Sequence, residues 1–233
     1  MKNIKENILA INNRILELSK DKINKVTFVA VTKTFPAQDV KEAIDSGIIF
    51  DIAESKIQEA LPKFEVLLNN LNGINKHFIG HLQSNKAKKA VLNFDLIQSL
   101  DSIDLAKDIN RHAKDIGKVQ KCLIELKVSN EESKFGVSKE TVSAIYDYCA
   151  LNCPNILICG IMTIAPYFED KELVRPYFKI ANSIFLDIKN KVNNKNFKIL
   201  SMGMSGDFEV AIEEGSNMVR IGTSVFGERN YDK

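Results

Sequence analysis

The sequence predicts a single (β/α)8 barrel, a TIM barrel, with one extra helix at its N-terminus. Three observations carry this. Short β-branched apolar runs alternate with helical patterns at a spacing of about 20–30 residues, the signature of parallel strands with helices outside. Eight such units fit into 233 residues, close to the usual barrel size of about 250. No Gly-x-Gly-x-x-Gly follows the first strand, which ranks an open doubly wound sheet second. No Pro/Gly/Ser linker, low-complexity tract or internal repeat breaks the rhythm, so residues 1–233 read as one domain.

The units follow in order. Ile4, Ile8, Ile11, Ile15 and Leu18 recur at three- and four-residue steps, predicting an amphipathic helix over 2–20 that covers a flank or end of the fold. Strand one is expected over 26–32, with a helix from Pro36 to Ser46 closed by Gly47. Strand two is expected over 48–52, with a helix over 56–70. Strand three covers 77–80 and a basic helix 84–92. Strand four covers 94–98, and Ser102 caps a helix that Gly117 stops. Strands five and six are expected over 121–128 and 156–164, with helices over 139–151 and 169–192. Strand seven covers 198–202, with a short helix from near Ser205 to Gly215. Strand eight covers 218–222, with a last helical turn near Ser224.

Bulk composition narrows the function. A formal charge of +2, from 32 basic and 30 acidic residues, gives no field to gather nucleic acid or a membrane surface. The longest apolar runs are too short to span a bilayer. The N-terminus lacks the apolar core of a signal peptide. Cys122, Cys149, Cys153 and Cys159 form no C-x-x-C pair, so the thiols read as reduced and the protein as cytoplasmic. His77 and His81 are four apart, but the first lies on a strand, and no metal site is expected.

In this fold reactive groups sit at the C-terminal ends of strands. Lys33 ends strand one. By alternation it shares a face with Thr27, Val29 and Val31, where apolar neighbours favour the neutral amine, a nucleophile for aldehydes. Strands seven and eight end in Leu200-Ser201-Met202-Gly203-Met204-Ser205 and Arg220-Ile221-Gly222-Thr223-Ser224. Small residues, hydroxyls and two helix starts there suggest a phosphate cradle. Arg220 shares its side with Met218 and Gly222 and points towards the barrel axis. An amine and a phosphate cradle at one barrel mouth suit an aldehyde that carries a phosphate. Pyridoxal 5′-phosphate (PLP) is the first candidate. A sugar-phosphate substrate of a lysine-dependent aldolase would use the same parts.

Motifs across the chain resemble the pyridoxal phosphate homeostasis protein family. They are Val31-Thr32-Lys33-Thr34-Phe35-Pro36, His77 to Lys86, Ser133-Lys134-Phe135-Gly136, Gly160 to Pro166, Leu200 to Ser205 and Arg220 to Arg229. That family is similar to the barrel domain of alanine racemase without its second domain. The resemblance implies that Lys33 is the Schiff-base lysine. It implies phosphate contacts from Ser201, Gly222 and Thr223, with backbone help near Gly203 and Met204, and Arg220 facing the pyridine nitrogen. Ser55 and His77 are further cofactor contacts on this reading, although Ser55 stands where the family has asparagine, in Ala53-Glu54-Ser55. Lys134 is a candidate second amine near the mouth.

The expectation is therefore a PLP carrier or buffer that loads apo PLP-dependent enzymes, with no firm catalytic activity and, in solution, a monomer. An arginine at the ring nitrogen disfavours its protonation and weakens the electron sink. A PLP-dependent racemase or lyase is the alternative, and the aldolase comes after it.

Overall fold

The computed structural model describes residues 3–20, 25–129 and 135–228. Eight parallel strands form one closed barrel in sequence order. They are β1 (Thr27–Val31), β2 (Asp51–Glu54), β3 (Asn75–Phe78), β4 (Leu96–Leu100), β5 (Gln120–Leu126), β6 (Ile156–Thr163), β7 (Ile199–Ser201) and β8 (Met218–Ile221). β8 closes on β1 with Val29 opposite Arg220. The helices are α1 (Ile4–Ser19), α2 (Ala37–Ile44), α3 (Ile57–Val66), α4 (Ala87–Asn93), α5 (Ile103–Asp115), α6 (Lys139–Asn152), α7 (Arg175–Val192), α8 (Phe208–Glu213) and α9 (Thr223–Phe226).

Local chemistry sets the helix ends. Ser102 accepts from the Leu105 amide at 3.2 Å and starts α5. Gly117, at φ +65°, ends it, as its position in the sequence predicts. α1 buries Ile4, Ile8, Ile11 and Ile15, the predicted stripe. It lies on the flank rather than across an end. Asn7 Nδ2 donates to the Val225 carbonyl at 3.0 Å, and Arg14 Nε donates to Glu209 at 2.6 Å. α1 thus ties the last two units to the first.

The structure shifts three strands relative to the sequence expectation. Expected at 48–52, 77–80 and 94–98, they lie at Asp51–Glu54, Asn75–Phe78 and Leu96–Leu100. Apolar runs marked strands two and four too early. Ile49 and Phe94 are buried before the ladder begins. Strands two and three instead start on polar residues. Asp51, Asn75 and Asp95 line a cavity of about 240 Å3 at the N-terminal end of the barrel. A wet barrel end accepts polar residues that a hydrophobic pattern reads as loop.

Two cores result. The outer one, between strands and helices, holds Phe94, Phe178, Phe197 and Phe226. The inner one fills the barrel with Val29, Val31, Ala53, Leu96, Leu123, Cys159, Met162 and Met218. The cysteines are free and buried. No described helix is long and apolar enough to cross a membrane.

Candidate functional site

Lys33 follows β1 at the C-terminal mouth, half-buried. The chain around it is fixed from both sides. Thr32 before it is fully buried, and its Oγ1 donates to Glu54 Oε1 at 2.6 Å. Lys63 Nζ donates to the Thr32 carbonyl at 2.7 Å and to Glu54 Oε1 at 2.5 Å. Thr34 after it has φ +70°, the left-handed region, which a β-branched residue adopts only at a cost of about 1–3 kcal/mol. Phe35 then packs on Phe226, with centroids 4.8 Å apart. Packing on both sides holds the strained turn, and the turn holds Lys33.

β8 brings Arg220 to the same mouth. It is 3% exposed and inward, one alternation above Met218 in the inner core. Its Nη1 donates to Ser201 Oγ at 2.7 Å and its Nη2 to the Thr163 carbonyl at 2.8 Å. Burial lowers its pKa to about 10, against the pull of Asp207 and Glu125, so it keeps its charge at neutral pH. A guanidinium has five N–H donors, and these bonds leave some for a ligand.

The turns after β7 and β8 meet through Ser205. Its Oγ accepts from the Gly222 amide at 3.2 Å and the Ser224 amide at 3.3 Å. The amides of Ser205, Gly206 and Thr223 meet no acceptor among the described residues. Gly203, at φ +96°, allows the fold-back. A Cβ there would stand 2.6 Å from the Ala211 Cβ. The donor set of hydroxyls and turn amides fits a phosphate. α8 and α9 have six and four residues, so the expected contribution of helix dipoles is small and the turn groups must do the binding.

The structure thus brings Lys33, Arg220, Gly203, Gly222 and Thr223 to one mouth and sorts the other candidates. Ser201 is fully buried, with its hydroxyl committed to Arg220 and to Gln98 Oε1 at 2.7 Å. It lies below the turn amides, and Ser205 stands half-buried beside them. The Met204 amide donates to Asp207 Oδ1 at 2.6 Å and is not free for an anion. His77 lies inside the barrel, between Asp51 and Gln98, with both ring nitrogens engaged. Ser55 follows β2 and lines a cavity of about 410 Å3 with Gln58, His81 and Lys86. The backbones close tightly there, since a Cβ on Gly80 would stand 2.1 Å from the Ser55 carbonyl oxygen. Lys134 lies outside the described residues. Among those residues no metal-holding cluster of His, Cys, Asp or Glu occurs.

Sequence reasoning missed Glu125. It is 6% exposed on β5, and burial beside Asp101 pushes its carboxyl up to about 7. The available signal was one acid inside the run Cys122-Leu123-Ile124-Glu125-Leu126. It missed Gln98, whose partners are spatial neighbours from three other strands.

Comparison with known proteins fits this geometry. Residues 1–230 match the family described as alanine racemase, N-terminal domain. The pyridoxal phosphate homeostasis protein of Aquifex aeolicus is 42% identical over 208 residues, 89% of each chain. The human protein of that name is 37% identical over 213 residues, 88% of this chain and 77% of its own. PipY of Synechococcus elongatus PCC7942, solved with PLP bound, superposes at a TM-score of 0.85 with 30% identity, covering 97% of this chain and all of its own. An alanine racemase of Clostridium difficile 630 shares the fold, at a TM-score of 0.69 and 17% identity over 58% of its length. On the family match and these relatives together, the chain belongs to the alanine racemase N-terminal domain family, among its pyridoxal phosphate homeostasis proteins.

Proposed function

We propose that this protein binds pyridoxal 5′-phosphate at the C-terminal mouth of its barrel and serves PLP homeostasis as a carrier or buffer. The observation that supports this most is the meeting of Lys33, a buried and charged Arg220 and the Ser205–Gly222 turns at one barrel end. Relatives named for PLP homeostasis, and the PLP-bound neighbour, support it further. When bound, the cofactor supplies an aldehyde that condenses reversibly with an amine. The chain supplies the rest. Lys33 offers the amine from a turn that Thr34 and Phe35 fix. The Ser205, Gly206 and Thr223 amides and the neighbouring hydroxyls receive the phosphate. Arg220 faces the ring and disfavours a proton on its nitrogen. That favours storage over carbanion chemistry, so a non-catalytic role is the finer reading.

Handing the cofactor to apo PLP-dependent enzymes, a monomeric state, a single domain and a cytoplasmic location belong to the same proposal. α1 supports the monomer by spending its apolar stripe on its own barrel. Titration with PLP tests the core claim. A visible absorbance band that saturates in the wild type and is absent in Lys33→Ala supports it. Equal binding by both proteins would contradict it.

One observation favours a second reading, a PLP-dependent racemase or lyase. Glu125 is a carboxyl poised near neutrality close to Arg220, as an acid–base catalyst would be. Loaded protein that exchanges the α-proton of amino acids in deuterated water, and loses that activity in Glu125→Gln, would establish this reading over the carrier.

A further inference from the structure

A chain of hydrogen bonds climbs the inside of the barrel from its wet N-terminal end to Arg220. Asp51 Oδ1 lies 3.0 Å from His77 Nε2. His77 Nδ1 lies 2.9 Å from Gln98 Nε2. Gln98 Oε1 accepts from Ser201 Oγ at 2.7 Å, and Ser201 Oγ accepts from Arg220 Nη1 at 2.7 Å. His77, Gln98, Ser201 and Arg220 are each 3% exposed or less. Buried polar groups of this kind must be satisfied, and here each link constrains the next.

The direction of the chain follows from its lower end. A carboxylate can only accept, so His77 donates from Nε2 to Asp51, and Nδ1, which faces the Gln98 amide nitrogen, is left as the acceptor with its lone pair. That lone pair needs a donor, which turns the Gln98 amide nitrogen towards it. The same nitrogen faces Met218 Sδ at 3.4 Å, another acceptor. Gln98 Oε1 is then turned towards Ser201 and accepts the hydrogen bond of its hydroxyl. With its proton committed to Gln98, Ser201 keeps its lone pairs for acceptance, and one receives the Arg220 N–H. Reversing the amide would set two acceptors against each other at His77 and take from the Ser201 hydroxyl its acceptor.

We propose that Asp51, His77 and Gln98 are positioning residues that act through Ser201 to aim the Arg220 guanidinium at the ring of the bound cofactor. This rests on the reading of Arg220 given under Proposed function. It gives His77 an indirect role at the site: its ring touches no ligand and sets the orientation of a residue that does. It also accounts for a serine at the end of β7 that lies too deep for the cradle.

Two measurements on the full chain test it. The first needs no cofactor. Nitrogen NMR of the His77 ring, assigned against His77→Gln, should find a neutral ring protonated on Nε2. A proton on Nδ1 would reverse the chain and overturn the proposal. The second compares PLP affinity and the position of the bound-cofactor band in Gln98→Met, Ser201→Ala and the double variant. Methionine keeps the volume of glutamine without its hydrogen bonds. Each single change should weaken binding about tenfold and shift the band, and the pair should be no worse than the poorer single, because both break one chain. Effects that multiply would overturn the proposal. So would a Gln98→Met protein that loses thermal stability alone, with affinity and band unmoved. Failure of the wild type to bind PLP would sink the cofactor reading itself, whereas normal wild-type binding with an unmoved Gln98→Met would sink only the positioning role.

Discussion

Two buried charges stand on opposite faces of the barrel wall, and they are treated differently. Outside, Glu54 is fully buried under α3 and meets Lys63 at 2.5 Å. Inside, Arg220 is buried beside a hydroxyl and a carbonyl, with no ion pair among the described residues. Glu54 Oε1 receives both Thr32 and Lys63, while Oε2 has no partner. Burial raises the Glu54 pKa against the opposing pull of Lys63. The outer pair closes on itself and fixes the backbone that leads into Lys33. The inner cation keeps donors in reserve. Charge neutralised within the wall serves architecture, and charge left with neutral partners is available to a ligand.

The largest effect should come from opening the closed pair. Lys63→Met leaves Glu54 buried without its cation, which costs about 3–5 kcal/mol of stability. Chemical denaturation at neutral pH measures this, and a loss under 1 kcal/mol would mean that the pair is not what holds the wall. PLP affinity should fall as well, because the Thr32 carbonyl loses its anchor.

Glu125 sharpens the inner half of the comparison. Its folded pKa of about 7 lies above the ordinary value of 4.5. The folded state therefore binds the proton more tightly than the unfolded one. The stabilisation is complete below pH 4.5 and is lost as pH rises through 7, by about 3 kcal/mol in all. Glu125→Gln should be more stable than the wild type by that order at pH 8 and equal to it at pH 4. A gain that does not depend on pH would contradict this assignment.

The smallest effect belongs to the cradle. Ser205→Ala removes a half-buried hydroxyl that accepts from the Gly222 and Ser224 amides, and should weaken PLP binding by about 1 kcal/mol with a loss of stability no larger than that. A large loss of stability would place Ser205 with the architecture instead.

The sequence carried the eight-unit rhythm, the N-terminal helix, the caps at Ser102 and Gly117, and the inward direction of Arg220. Each depends on periodicity or on one residue type in one local conformation. It did not carry the start of β2, because Asp51 faces a wet barrel end where polarity is no penalty. Nor did it reveal that Ser201 bonds Arg220 and that Ser205 joins the turns after β7 and β8. The two serines lie four apart, one ending β7 and one in the turn after it, and only the neighbouring strands tell them apart. Glu54 with Lys63 and Gln98 with His77 pair one element with another, which no local pattern marks. The site was legible where backbone direction decides it and illegible where side chains from different strands meet.

The most direct test of the central claim is reduction of PLP-loaded protein with borohydride, followed by peptide mass spectrometry. The account predicts one stoichiometric adduct, on Lys33, and none in Lys33→Ala. An adduct spread over surface lysines, or one that persists at full yield in Lys33→Ala, would contradict it.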